Sequence, residues 1–122
     1  MSTAKIFEVK TEGNTLIVVS LGSAGSLVAG EEMGLELAGL LEQIEQSEIR
    51  HAVVDLEQSA YFGTSMLQVM AAIWKRVRAR GGKMAVCNVS DTGREILHVT
   101  RFDTLWPLCG SQQEALEAVS SP

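Results

Sequence analysis

The sequence predicts an α/β fold with a mostly parallel sheet of about five strands, an antiparallel N-terminal strand and four helices. Short β-rich runs alternate along the chain with patterns of helical period, and such alternation produces parallel strands joined by right-handed crossovers. The first two β-rich runs are separated only by a cluster of turn formers, which favours an antiparallel hairpin. The length of 122 residues fits a single domain covering residues 1–122.

The predicted hairpin comprises residues 6–9 and 16–21, with four turn formers, residues 11–14, between them. The second run is almost wholly apolar, so both faces of this strand should be covered by other elements. Residues 22–30 are rich in glycine, serine and alanine and are predicted to form a loop.

Two amphipathic helices are predicted on either side of a short buried strand, residues 52–56. The first begins at Glu31, and its apolar residues recur with helical period at Met33, Leu37, Leu40, Leu41 and Ile44. The second carries an apolar stripe of Leu67, Met70, Ala71, Trp74 and Val77. It should end at Gly81 and Gly82, because only glycine adopts the left-handed conformation of a helix end at little cost.

The remainder of the chain repeats this alternation. Residues 84–89 form a predicted strand, and Ser90 is placed to cap a third helix. Residues 105–109 form a last short strand. Ser111, followed three residues later by Glu114, is a capping box at the start of a fourth helix.

In an open α/β sheet, functional loops lie beyond the carboxyl ends of the parallel strands. Three loops are predicted there: 22–30, 57–63 and 88–91. The second loop leads into Thr64 and Ser65, two adjacent hydroxyls at the start of a helix. Unpaired N–H groups and the positive end of the helix dipole favour an anion there, so both residues are candidate phosphoacceptors or phosphate ligands. Alternatively, one of them is simply the N-cap of the helix.

The composition argues against several classes of partner. The formal net charge is −5 and aromatic residues make up 5% of the chain, so nucleic acid phosphates would repel the protein. No run approaches the roughly 18 apolar residues of a membrane span, and no apolar segment follows Lys5 as in a signal peptide. We therefore expect a soluble, cytoplasmic protein that binds neither nucleic acid nor membrane.

The residues that usually hold metals or cofactors are isolated in this sequence. His51 and His98 have no second histidine or cysteine at ligand spacing. Cys87 and Cys109 lack C-x-x-C spacing and are interpreted as small buried hydrophobic residues, with a disulfide left open. The phosphate-binding motif GxxxxGKS/T does not occur. We expect no metal, no cofactor and no intrinsic ATP hydrolysis.

A basic cluster, Lys75, Arg76, Arg78 and Arg80, lies near the end of the second predicted helix. It could be a docking patch for a partner. Cations near a helix C-terminus are also favoured by the helix dipole and commonly form a solvated face, and this is the interpretation that we prefer.

Several motifs together resemble a known family. They are Val53-Val54-Asp55-Leu56, Phe62-Gly63-Thr64-Ser65-Met66-Leu67, Arg80-Gly81-Gly82-Lys83 and Arg94-Glu95-Ile96-Leu97. In their joint order along nearly the whole chain they resemble the STAS domain, the fold of bacterial anti-sigma factor antagonists. In that family a serine-protein kinase, which is also the anti-sigma factor, phosphorylates a hydroxyl at the start of the second helix. The unmodified antagonist binds the anti-sigma factor and frees sigma.

The resemblance implies a phosphorylation site. The family pattern at this turn is commonly Asp-Ser-Ser-Gly-Leu, with the first serine modified, and it matches residues 63–67. Thr64 is therefore the implied acceptor and Ser65 the second choice. Two positions differ: Gly63 replaces the aspartate, which removes a carboxylate, and Met66 replaces the glycine, which adds bulk near the turn.

The expected partner surface lies around the same turn. It consists of Ser23, Ser26, Tyr61, Phe62, Gly63, Thr64, Ser65, Gln68, Ser90 and Asp91. The implied function is that of a non-enzymatic anti-sigma factor antagonist, whose partner is an anti-sigma factor and serine-protein kinase that phosphorylation releases. Whether the protein also forms a homodimer is left open.

Two other functions are compatible with the sequence. The turn at residues 63–67 is close to the G-x-S-x-G elbow of hydrolases, although Leu67 stands in place of the second glycine. Ser65, Asp91 and His98 also follow the order of a hydrolase triad. The other alternative keeps the STAS fold without a phosphoswitch, as a scaffold or a small-ligand or nucleotide sensor that uses the loop at 22–30.

Overall fold

The computed structural model describes residues 7–21, 29–46, 48–59 and 63–121. The strands are β1 (Phe7–Glu12), β2 (Thr15–Ser20), β3 (His51–Asp55), β4 (Met84–Cys87) and β5 (Leu108–Cys109). The helices are α1 (Ala29–Gln46), α2 (Thr64–Ala79), α3 (Asp91–Val99) and α4 (Gln112–Ser120), with a short 3₁₀ helix, Phe102–Thr104, after α3.

Some of the residues singled out from the sequence lie outside the described residues. They are four members of the expected partner surface, Ser23, Ser26, Tyr61 and Phe62. The same holds for residue 6 of the predicted first strand, for residues 22–28 of the predicted loop and for the side chain of Met33.

The five strands form one sheet in the order β1-β2-β3-β4-β5. β1 pairs with β2 in antiparallel orientation, and the other neighbours are parallel. This arrangement confirms the predicted fold class. We call the end of the sheet that contains Ser20, Asp55 and Cys87 the carboxyl end, and the opposite end, where β3 and β4 begin, the amino end.

Alternate side chains of the sheet pack into two separate cores. On one face, Val18, Val54 and Val86 belong to a large core with residues of α1, α2 and α3. On the other face, Ile17 and Val53 pack against the apolar side of α4. Because both faces of β2 are covered, all of its residues are buried, as its continuous apolar run predicts.

The two long helices bury their apolar faces against the larger core. In α1, Leu40 and Ile44 are buried, as predicted. In α2 the buried residues are Met66, Val69, Met70, Ile73 and Val77. The predicted α2 stripe is therefore only partly correct, because Leu67, Ala71 and Trp74 are only half-buried.

The hairpin turn is tighter than the sequence predicts. Thr11 and Glu12 belong to β1 instead of the loop, and Glu12 pairs directly with Thr15. Only Gly13 and Asn14 form the turn. Gly13 has a φ of 61°, the positive value that a two-residue hairpin turn needs at its first position and that glycine adopts readily.

Two further boundaries differ from the prediction. Helix α1 begins at Ala29, so Ala29 and Gly30 are helical although the sequence places them in a loop. Strand β4 ends at Cys87 instead of residue 89. It ends there because Asn88 has a φ of 59°, which is incompatible with an extended strand.

The last strand is also shorter than predicted, since Leu105 and Trp106 do not belong to it. Trp106 is buried; its ring stacks on Phe102 at a centroid distance of 4.7 Å and meets Trp74 edge-on at 6.3 Å. This aromatic packing draws the chain into the core before β5 begins. Pro107, which follows, has no N–H to donate to a neighbouring strand.

At the amino end of the sheet, α2 ends against the segment that precedes β3. Gly81 has a φ of 80°, as predicted for a glycine that ends a helix. Gly82 is needed for another reason, because a Cβ atom built there would lie 1.6 Å from the carbonyl oxygen of Arg50. Arg80 fixes the same junction by donating from Nε to the carbonyl oxygen of Ile49 at 2.7 Å.

Gly82→Ala should destabilise the protein by roughly 2–4 kcal/mol, because the added methyl group forces two backbone segments apart. Gly39→Ala is the matched control, since a Cβ built at Gly39 on α1 has nothing within 4 Å. Alanine in that helix should stabilise the protein by about 0.5–1 kcal/mol. Urea unfolding followed by circular dichroism measures both effects, and equal midpoints for the two variants would contradict the packing at Gly82.

Candidate functional site

The carboxyl end of the sheet brings together the end of β2, the connection from β3 to α2 and the connection from β4 to α3. Two hydrogen-bond networks join these segments, one around Ser20 and Ser59 and the other around Asp55. All three of these residues are buried. The candidate site is the surface that these networks support, and it includes Thr64 at the start of α2.

Helix α2 begins with a first turn that no side chain in the described part of the chain caps. Its N-cap is Gly63, whose carbonyl oxygen accepts hydrogen bonds from the N–H groups of Met66 at 3.1 Å and Leu67 at 3.3 Å. Thr64 and Ser65 follow it and are both exposed. The alternative interpretation, in which one of these two hydroxyls is the N-cap, is therefore wrong.

An uncapped helix start can stabilise an anion. Within the described residues, the N–H groups and hydroxyls of Thr64 and Ser65 make no hydrogen bonds. The positive end of the α2 dipole acts at the same place. A phosphate attached to either hydroxyl would therefore find unpaired N–H donors close by.

The two positions that differ from the STAS pattern have different structural consequences. Met66 is 1% exposed and belongs to the larger core, so the bulk expected near the turn points inward and anchors the first turn of α2. At Gly63 a built Cβ has nothing within 4 Å, and φ is −109°. A larger side chain would fit there, and the missing carboxylate leaves open space beside the helix start.

Ser20 and Ser59 form a buried clamp between β2 and the connection that leads to Thr64. Their hydroxyl oxygens are 2.9 Å apart, and the Ser59 hydroxyl also lies 3.2 Å from the carbonyl oxygens of Ser20 and Leu21. The Ser20 hydroxyl contacts the Met66 sulfur at 3.9 Å. The clamp therefore joins the end of β2, the β3–α2 connection and the first turn of α2.

Asp55 organises the neighbouring part of the carboxyl end. Its carboxylate is buried and accepts three hydrogen bonds: from the N–H of Glu57 at 2.9 Å, from Asn88 Nδ2 at 3.1 Å and from Gln112 Nε2 at 2.7 Å. These donors are neutral, so amide dipoles alone hold the carboxylate. The network links the ends of β3 and β4 to the start of α4.

The other predicted site residues lie on α2 and at the start of α3. Gln68 is exposed on α2, and Asp91 is the exposed first residue of α3. Ser90 is half-buried, and its hydroxyl accepts a hydrogen bond from the N–H of Gly93 at 3.0 Å, which confirms its predicted role as the α3 N-cap. The described part of the expected partner surface is thus Gly63, Thr64, Ser65, Gln68, Ser90 and Asp91.

Sequence reasoning did not single out Ser20, Ser59, Asn88 or Gln112, and it used Asp55 only as part of a family motif. A usable signal exists for Ser20 and Asp55, because each is a polar residue at the carboxyl end of an apolar parallel strand. Nothing local indicates Gln112, whose amide reaches Asp55 from 57 positions further along the chain.

The structure does not assemble the hydrolase triad. His98 Nδ1 lies 3.0 Å from Oδ2 of Asp103. Asp91 and His98 occupy the first and last turns of α3, a separation of about 10 Å along the helix axis at the usual rise per residue. Asp91 therefore does not orient His98 towards Ser65.

The two cysteines pair in register across β4 and β5, and neither is in a disulfide. Cys87 is buried, as predicted, whereas Cys109 is only half-buried. Burial, followed by the charge of Asp55, raises the pKa of the Cys87 thiol to about 12, so this thiol stays protonated and unreactive near neutral pH.

The part of the chain that the structure describes contains no group of three or more histidine, cysteine, aspartate or glutamate residues arranged to hold a metal ion. None of its helices has both the length and the apolar composition needed to cross a bilayer.

Asp55→Ala should lower the free energy of unfolding by roughly 3 kcal/mol, because three donors lose their acceptor. Gln112→Ala removes one donor and should cost about 1–2 kcal/mol. In the double variant the loss should fall short of the sum by about 1 kcal/mol, because the two residues share a hydrogen bond. Denaturant unfolding of the four proteins measures this coupling, and strictly additive losses would show that the Asp55–Gln112 bond contributes nothing.

Known proteins share this fold. The model of the STAS domain family matches residues 35–115. The Bordetella bronchiseptica protein BtrV, named as an anti-sigma factor antagonist, is 24% identical over 103 residues, which cover 84% of this chain and 85% of that protein.

Solved structures agree with this match. An anti-sigma-factor antagonist (STAS) domain protein from Planctomyces limnophilus superposes with a TM-score of 0.79 at 28% identity, covering 94% of this chain and 98% of that one. The Bacillus protein SpoIIAA shares the fold in its unphosphorylated and phosphorylated forms, with TM-scores of 0.77 and 0.67 at 14% identity. Both alignments cover 92% of this chain, with 94% and 97% of the respective SpoIIAA chains. Because the family match spans more than half of the sequence and the fold agrees, the chain belongs to the STAS domain family.

Proposed function

We propose that this protein is an anti-sigma factor antagonist controlled by phosphorylation of Thr64. In its unmodified state it binds an anti-sigma factor that is also a serine-protein kinase, and thereby frees a sigma factor for transcription. The observation that carries the proposal is the exposed Thr64 hydroxyl at an uncapped helix start in a chain of the STAS family. The Bordetella relative and the Planctomyces structure, both named as anti-sigma factor antagonists, support the antagonist role.

A phosphate on Thr64 would be compatible with the fold. It adds about −1.5 to −2 charges and three acceptor oxygens, and the first-turn N–H groups of α2 can donate to it. Thr64 is exposed, whereas Met66 and the Ser20–Ser59 clamp hold the same turn from inside. Modification should therefore change the surface without disturbing the core.

The same phosphate would oppose a partner docked on this surface. A partner that covers Thr64 must remove water from a doubly charged group, which costs several kcal/mol unless a cation compensates it. Phosphorylation would thus end binding while the antagonist stays folded.

In this proposal the antagonist is a binding protein, and the kinase supplies the chemistry. Ser65 is the second choice of acceptor, because it is also exposed in the first turn of α2.

The proposed role implies a location in the cytoplasm, where sigma factors act. The neighbouring reading frames are the natural place to search for the kinase.

Thr64→Ala should abolish phosphate transfer from ATP by the cognate anti-sigma kinase, because the acceptor oxygen is gone. Ser65→Ala is the matched control, since it removes the adjacent exposed hydroxyl but keeps the Thr64 acceptor, and it should still be phosphorylated. Mass spectrometry of the reaction products locates the phosphate. Equal labelling of Thr64→Ala and wild type would rule out Thr64 as the acceptor.

Thr64→Glu should weaken binding of the anti-sigma factor by about 100-fold, because an uncompensated charge in an interface costs several kcal/mol. Thr64→Gln introduces a side chain of nearly the same size as glutamate but without its charge, and its affinity should fall by less than about tenfold. Isothermal titration calorimetry compares the two variants. Unchanged binding of Thr64→Glu would favour the scaffold or ligand sensor without a phosphoswitch.

A further inference from the structure

A second surface lies at the amino end of the sheet, remote from Thr64. It is a groove of about 360 Å³ between the last turns of α2, the start of β4, the chain before β5 and the end of α4. Thr64 and Arg78 lie near opposite ends of α2, about 21 Å apart along the helix axis at the usual rise per residue. The groove is therefore separate from the candidate phosphorylation site.

The groove is cationic although the formal net charge of the protein is −5. Arg78 and Lys83 line it, and none of its described lining residues is acidic. The Arg78 guanidinium lies 5.0 Å from the centre of the Trp74 ring, an interaction that orients the cation without neutralising it. Lys83 Nζ donates to the carbonyl oxygen of Ser121 at 2.6 Å, a neutral acceptor, and no carboxylate of the described residues forms an ion pair with it.

The surroundings of the groove are positive as well. The Arg50 guanidinium donates to the carbonyl oxygen of Gly81 at 3.5 Å, beside Gly82 in the groove wall. The pKa of His51 is lowered, first by burial and then by the positive charges of Arg50 and Lys83. A negatively charged partner would be attracted to this end of the molecule.

Apolar side chains form much of the remaining lining. Met84 and Val119 are buried, Trp74 is half-buried, and Leu105 is 46% exposed. The volume is at the lower end of the range for small-molecule pockets. The exposed Leu105 extends the apolar surface outward, which suits a peptide segment better than an enclosed small molecule.

We propose that this groove binds a short acidic segment of a partner protein, with an apolar side chain against Trp74 and Leu105 and carboxylates facing Arg78 and Lys83. The groove is held in shape by the glycine contact at Gly82, where the backbone of residue 50 leaves no room for a side chain. Since Thr64 is at the other end of α2, the segment can stay bound when Thr64 is modified. Binding of the segment in the groove is therefore independent of phosphorylation at Thr64.

Tryptophan fluorescence tests the proposal directly, because the chain has two tryptophans and Trp74 lines the groove. The whole protein is titrated with the peptide Glu-Glu-Leu-Phe-Glu-Glu, with a version in which lysines replace the glutamates, and with a version in which glycines replace Leu and Phe. Only the first peptide should give a saturable change. Its affinity should fall as the salt concentration rises, since salt screens exposed charges.

Variants locate the binding site. Arg78→Glu and Leu105→Ser should each weaken binding of the acidic peptide by about 5- to 10-fold, through lost charge attraction and lost apolar contact respectively. Arg94→Glu is the matched control, because it makes the same charge change on an exposed residue of α3 outside the groove, and it should alter affinity by less than about twofold. If circular dichroism shows that Arg78→Glu is unfolded, Arg78→Gln replaces it as the test variant.

Three results would overturn the proposal: no saturable change with the acidic peptide, wild-type affinity in the folded Arg78 variant, or binding of phenylacetate as tight as that of the peptide. The last result would identify a small organic anion as the occupant. Thr64→Glu should bind the peptide as wild type does, so the groove and the proposed phosphoswitch can fail separately.

Discussion

The carboxylate of Asp55 is the interaction on which the carboxyl end of the sheet depends. A buried charge destabilises a fold unless donors satisfy it, and here the donors come from three separate parts of the chain. They can meet only if β4 stops at Cys87 and α4 begins beside β3. The left-handed backbone of Asn88 meets the first need, because it ends the strand where the Asn88 amide can donate to Asp55.

This anchoring separates the functional surface from the core beneath it. Met66 and the Ser20–Ser59 clamp hold the first turn of α2 from inside, and the Asp55 network joins the neighbouring ends of β3 and β4 to α4, while the Thr64 hydroxyl stays in solvent. A change of charge at Thr64 therefore lies outside these buried contacts. In the proposed switch, its effect would fall on what the surface can bind, since the buried contacts that hold the surface do not include the Thr64 side chain.

Local patterns were sufficient for most of the fold. The unbroken apolar run of β2 indicated a central strand, and Gly81 marked the end of α2, because burial and backbone conformation are read from adjacent residues. The shift of the α2 buried face and the short β5 depend on tertiary packing, above all on Trp106, which no local pattern shows. For the site, the position of Thr64 at a helix start was predictable, whereas the contact of Gln112 with Asp55 joins residues distant in sequence.

Because the strands follow one another in chain order, β1 and β5 form the outer edges of the sheet. β5 has only two residues, and β1 exposes Glu8, Lys10 and Glu12 along its length. Charged side chains and very short strands discourage a strand of another molecule from joining a sheet. Polymerisation by sheet extension, the route to fibrils, is thereby disfavoured, and the same features disfavour a homodimer that pairs these edge strands.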